Sequence, residues 1–392
     1  MKGPLRRRWR ALVPAVLAAM PVVPPALCAQ AAGNVPGPPN GLVATLPFEE
    51  HQFSLVFLRL DTGGGNLAWF LVDTGTRGCV VDVRQENALH PAGDPAPHSG
   101  QRADGAAREK QLSVFFPGGG ALLCRPVTMG DLAPATDIVG HPVEGVLGSA
   151  LFERYVVRID YAARVVRLYE PAQFAYGGNG HAARLTLDGG IPAIEAEIRD
   201  GPGRPVRRRF VVQTGSGDAV NDSAVLVSTT LPRYRAAAGT PHSRDSILIG
   251  TLDTVRVGGV VLTRLPSVAG PSTIGGAVLR RFTCIFDYRG HKLILEPNRH
   301  VGDTFSRGLR QSSGMSLYAS SHRAQPTVNE VTPGMPAARA GLERGDVIVA
   351  VDGVPASHLG VERLAEMFDR SGERYRVAVQ RGPAVITLDL VP

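Results

Sequence analysis

A mostly β protein made of two related halves, followed by a smaller α+β module, is the fold class this 392-residue sequence predicts. Three observations carry that expectation. With 46 Gly and 31 Pro against 6% aromatic residues, short apolar runs are broken by turn residues every ~8–12 positions, the rhythm of short strands. Residues 144–168, EGVLGSALFERYVVRIDYAARVVRL, return as residues 271–295, PSTIGGAVLRRFTCIFDYRGHKLIL. From about Ser312 the pattern changes in kind: strand, turn, a small-residue segment, strand, a helix over Val361–Asp369, then two strands.

The first element is residues 1–31. Lys2, Arg6, Arg7, Arg8 and Arg10 stand there with no acid, followed by an apolar run from Ala11 to Val23 and the small residues of ALCAQAA. This is the layout of a secretory signal peptide, with cleavage expected after Ala31. The apolar run is interrupted by Pro14 and falls short of the roughly 20 residues of a spanning helix. The expected location is a bacterial periplasm or the cell exterior, with no membrane role beyond export. Without those five cations, 37 basic residues face 35 acidic ones, so the net charge of +7 falls to +2. Bulk charge therefore gives no case for nucleic acid as a partner. Arg207, Arg208 and Arg209 lead into an apolar strand and read as a solvated hairpin flank.

Of the four cysteines, Cys28 leaves with the signal. Cys79, Cys124 and Cys284 remain, an odd number that allows at most one internal bridge. Cys79 and Cys124 could pair, while Cys284, inside FTCIFDY, reads as a small core residue. No CxxC or His/Cys spacing points to a metal, and no cofactor is expected.

The repeat sets the two halves. An offset of 127 places Gly148 on Gly275, Arg154 on Arg281, Tyr155 on Phe282, Asp160 on Asp287, Tyr161 on Tyr288 and Leu168 on Leu295. Upstream, an offset of 140 places Phe70 on Phe210, Val72 on Val212, Thr74 on Thr214 and Gly75 on Gly215. The fall of 13 between the blocks locates an insertion in the first half, in the polar segment Arg84–Lys110. The expected organisation is a first half over 42–175, a second over 180–298, a linker over 299–311 and a last module over 312–392.

Asp-Thr-Gly occurs twice, at Asp61 and Asp73. Asp61 opens DTGGGN between the runs FSLVFLRL and LAWFLV, where three glycines suit a hairpin tip. Asp73 instead ends an apolar strand, in FLVDTGT, and has a counterpart in the repeat. That counterpart is Gln213, in VVQTGSG, with Thr214, Gly215 and Ser216 kept. Asp218 lies five residues on, at the far side of the turn.

These two loops, with the apolar-apolar-Gly segments Val146-Leu147-Gly148 and Thr273-Ile274-Gly275, resemble the active-site loops and supporting segments of aspartic peptidases of the pepsin and retropepsin type. The resemblance covers roughly Leu42 to Pro297. It implies a pseudo-twofold, bilobal acid-protease-like β-barrel fold with the loops face to face. In that family two carboxylates share one proton; one activates water and the other donates to the carbonyl. Asp73, Thr74 and Gly75 are then the catalytic loop, and Gln213, Thr214 and Gly215 its degenerate partner. The resemblance also implies flap hairpins, within His98–Val114 and His242–Leu252. Gln213 departs from the pattern, because an amide neither shares a proton nor acts as a base. Two readings follow: an aspartic-type endopeptidase acting on polypeptides through Asp73, or an impaired peptidase fold that binds peptide. A monomer is expected rather than an obligate dimer, since each second half occupies the face a second Asp73 would need.

In the last module, TPGMPAARAGLERGDVIVAVDG (Thr332–Gly353) resembles a PDZ domain. Such domains add a peptide C-terminus as a strand and catch its carboxylate with backbone amides of a Gly-apolar loop. Ser313-Gly314-Met315-Ser316-Leu317 is the candidate loop, with Leu364 and Phe368 lining the pocket. The alternative is a module that packs between domains. The overall order resembles a bacterial family of exported aspartyl peptidases with a C-terminal PDZ domain.

Overall fold

The computed structural model describes residues 41–51, 54–85, 111–199, 203–227, 234–238, 245–257, 259–303, 305, 312–320 and 323–392. The expected signal segment, residues 98–110 and 242–244 of the expected flaps, and residues 304 and 306–311 of the expected linker lie outside them.

The first half runs β1 (Leu42–Pro47), β2 (Glu49–His51), β3 (Leu55–Asp61), β4 (Leu67–Val72), β5 (Cys79–Asp82), β6 (Leu112–Phe115), β7 (Ala121–Cys124), β8 (Val127–Gly130), α1 (Ala133–Val139), β9 (Gly145–Leu147), α2 (Ser149–Arg154), β10 (Val156–Asp160) and β11 (Val165–Tyr169). The β3–β4 connection is the expected hairpin. Gly63, Gly64 and Gly65 all take positive φ (119°, 66° and 86°). The Asp61 carboxylate accepts the Gly63 N–H at 2.7 Å and the Gly65 N–H at 3.2 Å, so this acid is spent on its own turn.

Alternation decides which way β3 faces. Val56, Leu58 and Leu60 enter the main core with Phe70 and Val72 of β4, while Leu55 and Phe57 enter a second cluster with Val143 and Val146. Leu132, Ala135 and Val139 of the α1 region cover that second cluster. The strand is therefore buried on both faces, which explains its near-continuous apolar run. Cys79 and Cys124 are joined, with Cα atoms 5.8 Å apart, and Cys284 is a buried free thiol.

The second half repeats the plan with β12 (His181–Asp188), β13 (Ile191–Arg199), β14 (Val206–Gln213), β15 (Val220–Asn221), α3 (Ala224–Val227), β16 (Tyr234–Ala238), β17 (Asp245–Val257), β18 (Val260–Val268), β19 (Thr273–Gly275), α4 (Gly276–Leu279), β20 (Phe282–Asp287) and β21 (Lys292–Pro297). In the first half β4 pairs in parallel with β9, Val72 opposite Leu147. In the second, β14 pairs in parallel with β19, Val212 opposite Ile274, the equivalent residues of the repeat.

The halves share one sheet. β10 pairs antiparallel with β20, with Val157 opposite Phe286, Arg158 opposite Ile285 and Ile159 opposite Cys284. Shifting each residue by the repeat offset exchanges the first and last pairs and returns the middle pair to itself. The pseudo-twofold axis therefore passes beside the Arg158–Ile285 pair. The architecture is mostly β and bilobal, as the repeat predicts, and acid-protease-like, as the resemblance of the loops implies.

The last module contains β22 (Met315–Ser320), β23 (Arg323–Val331), α5 (Pro336–Arg339), β24 (Val347–Val351), β25 (Val354–Pro355), α6 (Ala356–Phe368), β26 (Tyr375–Arg381) and β27 (Ala384–Leu390). Its sheet runs β22-β23-β24-β26-β27, with β25 beside β24. α6 begins five residues earlier than the expected helix, at Ala356, but breaks at Gly360 (φ 71°, ψ 168°), so the regular part starts where the apolar periodicity starts. α5 is a single turn, ended by Gly341 at φ 84°.

Candidate active site

β4 delivers Asp73 and β14 delivers Gln213 to the ends of two facing turns. The two loops are locked by their threonines. Thr74 Oγ1 donates to the Val212 carbonyl at 2.6 Å and accepts the Thr214 N–H at 3.0 Å; Thr214 Oγ1 donates to the Val72 carbonyl at 2.8 Å and accepts the Thr74 N–H at 3.0 Å. Each bond has its twofold mate, and both threonines are fully buried. A hydroxyl does this where no other small side chain would, since it donates and accepts at once.

The supporting glycines are needed for space. A Cβ on Gly148 would lie 2.1 Å from the Thr76 carbonyl oxygen, and one on Gly275 would lie 2.3 Å from the Asp218 carbonyl oxygen. Gly148 N–H donates to the Gly78 carbonyl and Gly275 N–H to the Ala219 carbonyl, both at 3.0 Å, while the Asp73 N–H donates to the Leu147 carbonyl at 3.0 Å. Each apolar-apolar-Gly segment thus lies directly under its loop. Asp218 turns its backbone toward Gly275, and its carboxylate accepts from Asn221 at 3.3 Å, as a side chain of the turn's far side would.

Each half reaches across to the other at the centre. A Cβ on Gly215 would lie 2.3 Å from the Asp73 carboxyl carbon, and one on Gly75 would lie 2.8–3.0 Å from the end of Gln213. Asp73 is 9% exposed. Its Oδ1 accepts the Gly75 N–H at 2.8 Å and the Gly215 N–H at 3.0 Å, and its Oδ2 accepts the Thr76 hydroxyl at 2.7 Å. Among the described residues no protein group is bonded to the Gln213 side chain. Ser216, at the position matching Thr76, accepts the Asp218 N–H at 3.3 Å instead of supporting Gln213. Thr76 was not among the site residues expected from sequence; a hydroxyl one place after Thr-Gly is the signal that marks it.

A buried tyrosine stands in each half. Tyr161 and Tyr288, paired by the repeat, both have hydroxyls with no hydrogen-bond partner among the described residues. Burial pushes both phenols up, and for Tyr288 the charges of Glu153 and Asp73 add to it.

In the last module, Met315, Leu317, Leu364 and Phe368 form one buried cluster, with Leu364 and Phe368 fully buried. They are core residues of the module rather than an open lining. In the candidate loop Gly314 takes φ 76°, the Ser313 N–H donates to the Phe368 carbonyl at 3.2 Å, and the buried Ser316 hydroxyl has no partner among the described residues. One of the loop's amides is therefore spent inside the module. β22, which continues the loop, is the end strand of the sheet, paired through β23.

Residues 327–381 match the family model described as a PDZ domain. The candidate loop at 313–317 precedes the matched span. No curated protein matches the chain. Among solved structures, basic 7S globulin from soybean is similar, at 14% identity and a TM-score of 0.42, over 68% of this chain and 98% of that one. The fold rests on the pairing of the strands and not on that likeness.

Proposed function

We propose that the paired loops form a centre for hydrolysing polypeptides, with Asp73 as the base toward water and the Gln213 amide as a fixed donor toward the scissile carbonyl. The observation that supports it is the crossed arrangement at the axis: the Asp73 carboxylate lies over Gly215 and the Gln213 side chain over Gly75. Asp73 takes a proton from water, whose oxygen adds to the carbonyl carbon. The carbonyl oxygen becomes an oxyanion held by a Gln213 N–H, and Asp73 returns its proton to the nitrogen as the C–N bond breaks. Every proton is accounted for by one carboxylate. What is missing is proton donation to the carbonyl, a contribution of roughly 10²–10⁴ in rate. The chain is thus a slow peptidase beside a two-aspartate one.

A second reading, a peptide-holding cleft that cuts nothing, is favoured by that same lack of a second acid. The PDZ match supports peptide binding by the last module, which we read as recruiting extended chains along β22. Export belongs to the same reading, and the mature protein is expected to begin at Ala32.

Cleavage of a denatured protein or peptide library across pH ~3–7 separates the readings. The wild type should cut, with Asp73 as its one base. Asp73→Asn should abolish cutting, and Gln213→Asp should raise it and restore a bell-shaped profile. Cutting by Gln213→Asp alone would favour the holding reading. Equal cutting by wild type and Asp73→Asn would remove Asp73 from the chemistry.

A further inference from the structure

β2 and the turn that follows α1 bring three donor groups together. Glu49 and His51, two residues apart, lie on one face of β2, and His141 comes from the chain beyond α1. His51 Nε2 is 3.4 Å from Glu49 Oε2, and His141 Nε2 is 3.6 Å from the same oxygen. One donor atom from each of the three residues lies within 4.8 Å of the other two.

These separations have a chemical reading. Zinc binds imidazole nitrogen at ~2.0–2.1 Å and carboxylate oxygen at ~2.0–2.2 Å, so donors on a tetrahedral edge stand about 3.3–3.5 Å apart. One edge of the triangle, His51 to Glu49 at 3.4 Å, has that length, and the His141 to Glu49 edge, at 3.6 Å, is slightly longer. The orientation of His141 agrees. Its Nδ1 lies 2.9 Å from the Pro142 carbonyl, which only accepts, so Nδ1 carries the hydrogen. In the neutral ring the Nε2 lone pair then faces the Glu49 carboxylate, two acceptors turned toward one another with room for a cation between. A backbone carbonyl on the far ring nitrogen is the bond that orients histidine ligands at metal sites.

The cluster is also held in advance. The His141 ring is 7% exposed and packs at 4.5 Å from Phe57, 4.7 Å from Trp69 and 4.1 Å from His51, centre to centre. Glu49, by contrast, is exposed, which leaves the solvent side open for a fourth ligand from water.

We propose that Glu49, His51 and His141 bind one divalent transition metal of the zinc class. The ion ties β2 to the segment that runs from α1 into β9, and β9 ends at Leu147, whose carbonyl holds the Asp73 N–H. It therefore braces the frame under the active-site loop. It takes no part in the hydrolysis proposed above, and it stands or falls apart from that reading.

The test uses the full chain, stripped with chelator and titrated with Zn²⁺ by calorimetry and with Co²⁺ by visible absorption. One Zn²⁺ per chain is expected, with a rise in melting temperature and a Co²⁺ spectrum of four-coordinate N/O type. Glu49→Gln and His51→Ala, on the accessible side, should each weaken binding at least about tenfold with the far-ultraviolet spectrum unchanged. His141→Phe, which suits its aromatic surroundings, should abolish binding while the chain stays folded. A folded wild type that takes up no Zn²⁺, with a cluster that only exchanges protons, would overturn the proposal. So would wild-type affinity in the Glu49→Gln/His51→Ala double variant.

Discussion

Thr74→Val should weaken the paired loops more than its single methyl-for-hydroxyl exchange implies. Valine keeps the shape of the buried side chain but loses two bonds at once, the donation to the Val212 carbonyl (2.6 Å) and the acceptance of the Thr214 N–H (3.0 Å). Both orphaned groups belong to a region where Thr74 and Thr214 are fully buried, so water does not replace the lost partner. An unsatisfied buried donor or acceptor costs about 1–3 kcal/mol, so the two together cost about 2–6 kcal/mol. That is a large share of the ~5–15 kcal/mol a folded unit has to spare. Urea unfolding, followed by the fluorescence of Trp69 on β4, should show the midpoint fall with the slope unchanged. Thr214→Val should match it, because the lock is symmetric, and the double variant should show a coupling of about 0.5–3 kcal/mol. Thr186→Val is the control: its hydroxyl also meets a backbone carbonyl, at 3.1 Å, but on an exposed strand face. A loss at Thr74 no larger than at Thr186, under about 0.5 kcal/mol, would refute the reasoning.

Gly215→Ala places a methyl 2.3–2.7 Å from the Asp73 carboxylate atoms, so it should displace that group and remove both cutting and the affinity of the cleft for peptide, read in the cleavage assay and by calorimetry. Replacing Cys79 and Cys124 together by serine opens a loop spanning 45 residues, and should lower unfolding stability by about 4 kcal/mol in chain-entropy terms, measured by urea midpoint against the oxidised wild type. Asp82 supplies a pH dependence. The hydrogen bonds from the Arg84 guanidinium lower its carboxyl from 3.8 to about 2, with the Arg84 and Leu132 amides helping against burial. Since the folded value is the lower one, the stabilisation is complete above about 3.8 and is lost as pH falls toward about 2. It amounts to at most about 2 kcal/mol, less for the solvent around the half-exposed Arg84, and Asp82→Asn should flatten stability over that window in acid unfolding.

The loops were legible because they are made of neighbours in sequence. A strand that ends in x-Thr-Gly writes its own turn, and the repeat identified Gln213 as the partner of Asp73 before any distance was known. The hairpin at Asp61 was legible for the same reason, its carboxylate bonding within four residues. Thr76 was missed because its bond to Asp73 depends on how the turn closes. Leu364 and Phe368 lie in the buried cluster of the last module, a placement the sequence leaves open because apolar periodicity says which face of a helix is buried, not whether it meets a ligand or a core.

By itself, then, the sequence determined the two-half plan and the paired Thr-Gly loops, with Asp73 in one and Gln213 in the other. Both are patterns of residue type at short or repeated spacing, and such patterns survive in one dimension. Tertiary structure alone decided that Cys79 meets Cys124 and that the two threonines bond each other's strands. It also decided that Glu49 and His51 meet His141, 90 residues further along the chain. These are contacts between segments far apart in sequence. The geometry that makes them comes from the packing of the sheet and α1, not from the residues adjoining each partner.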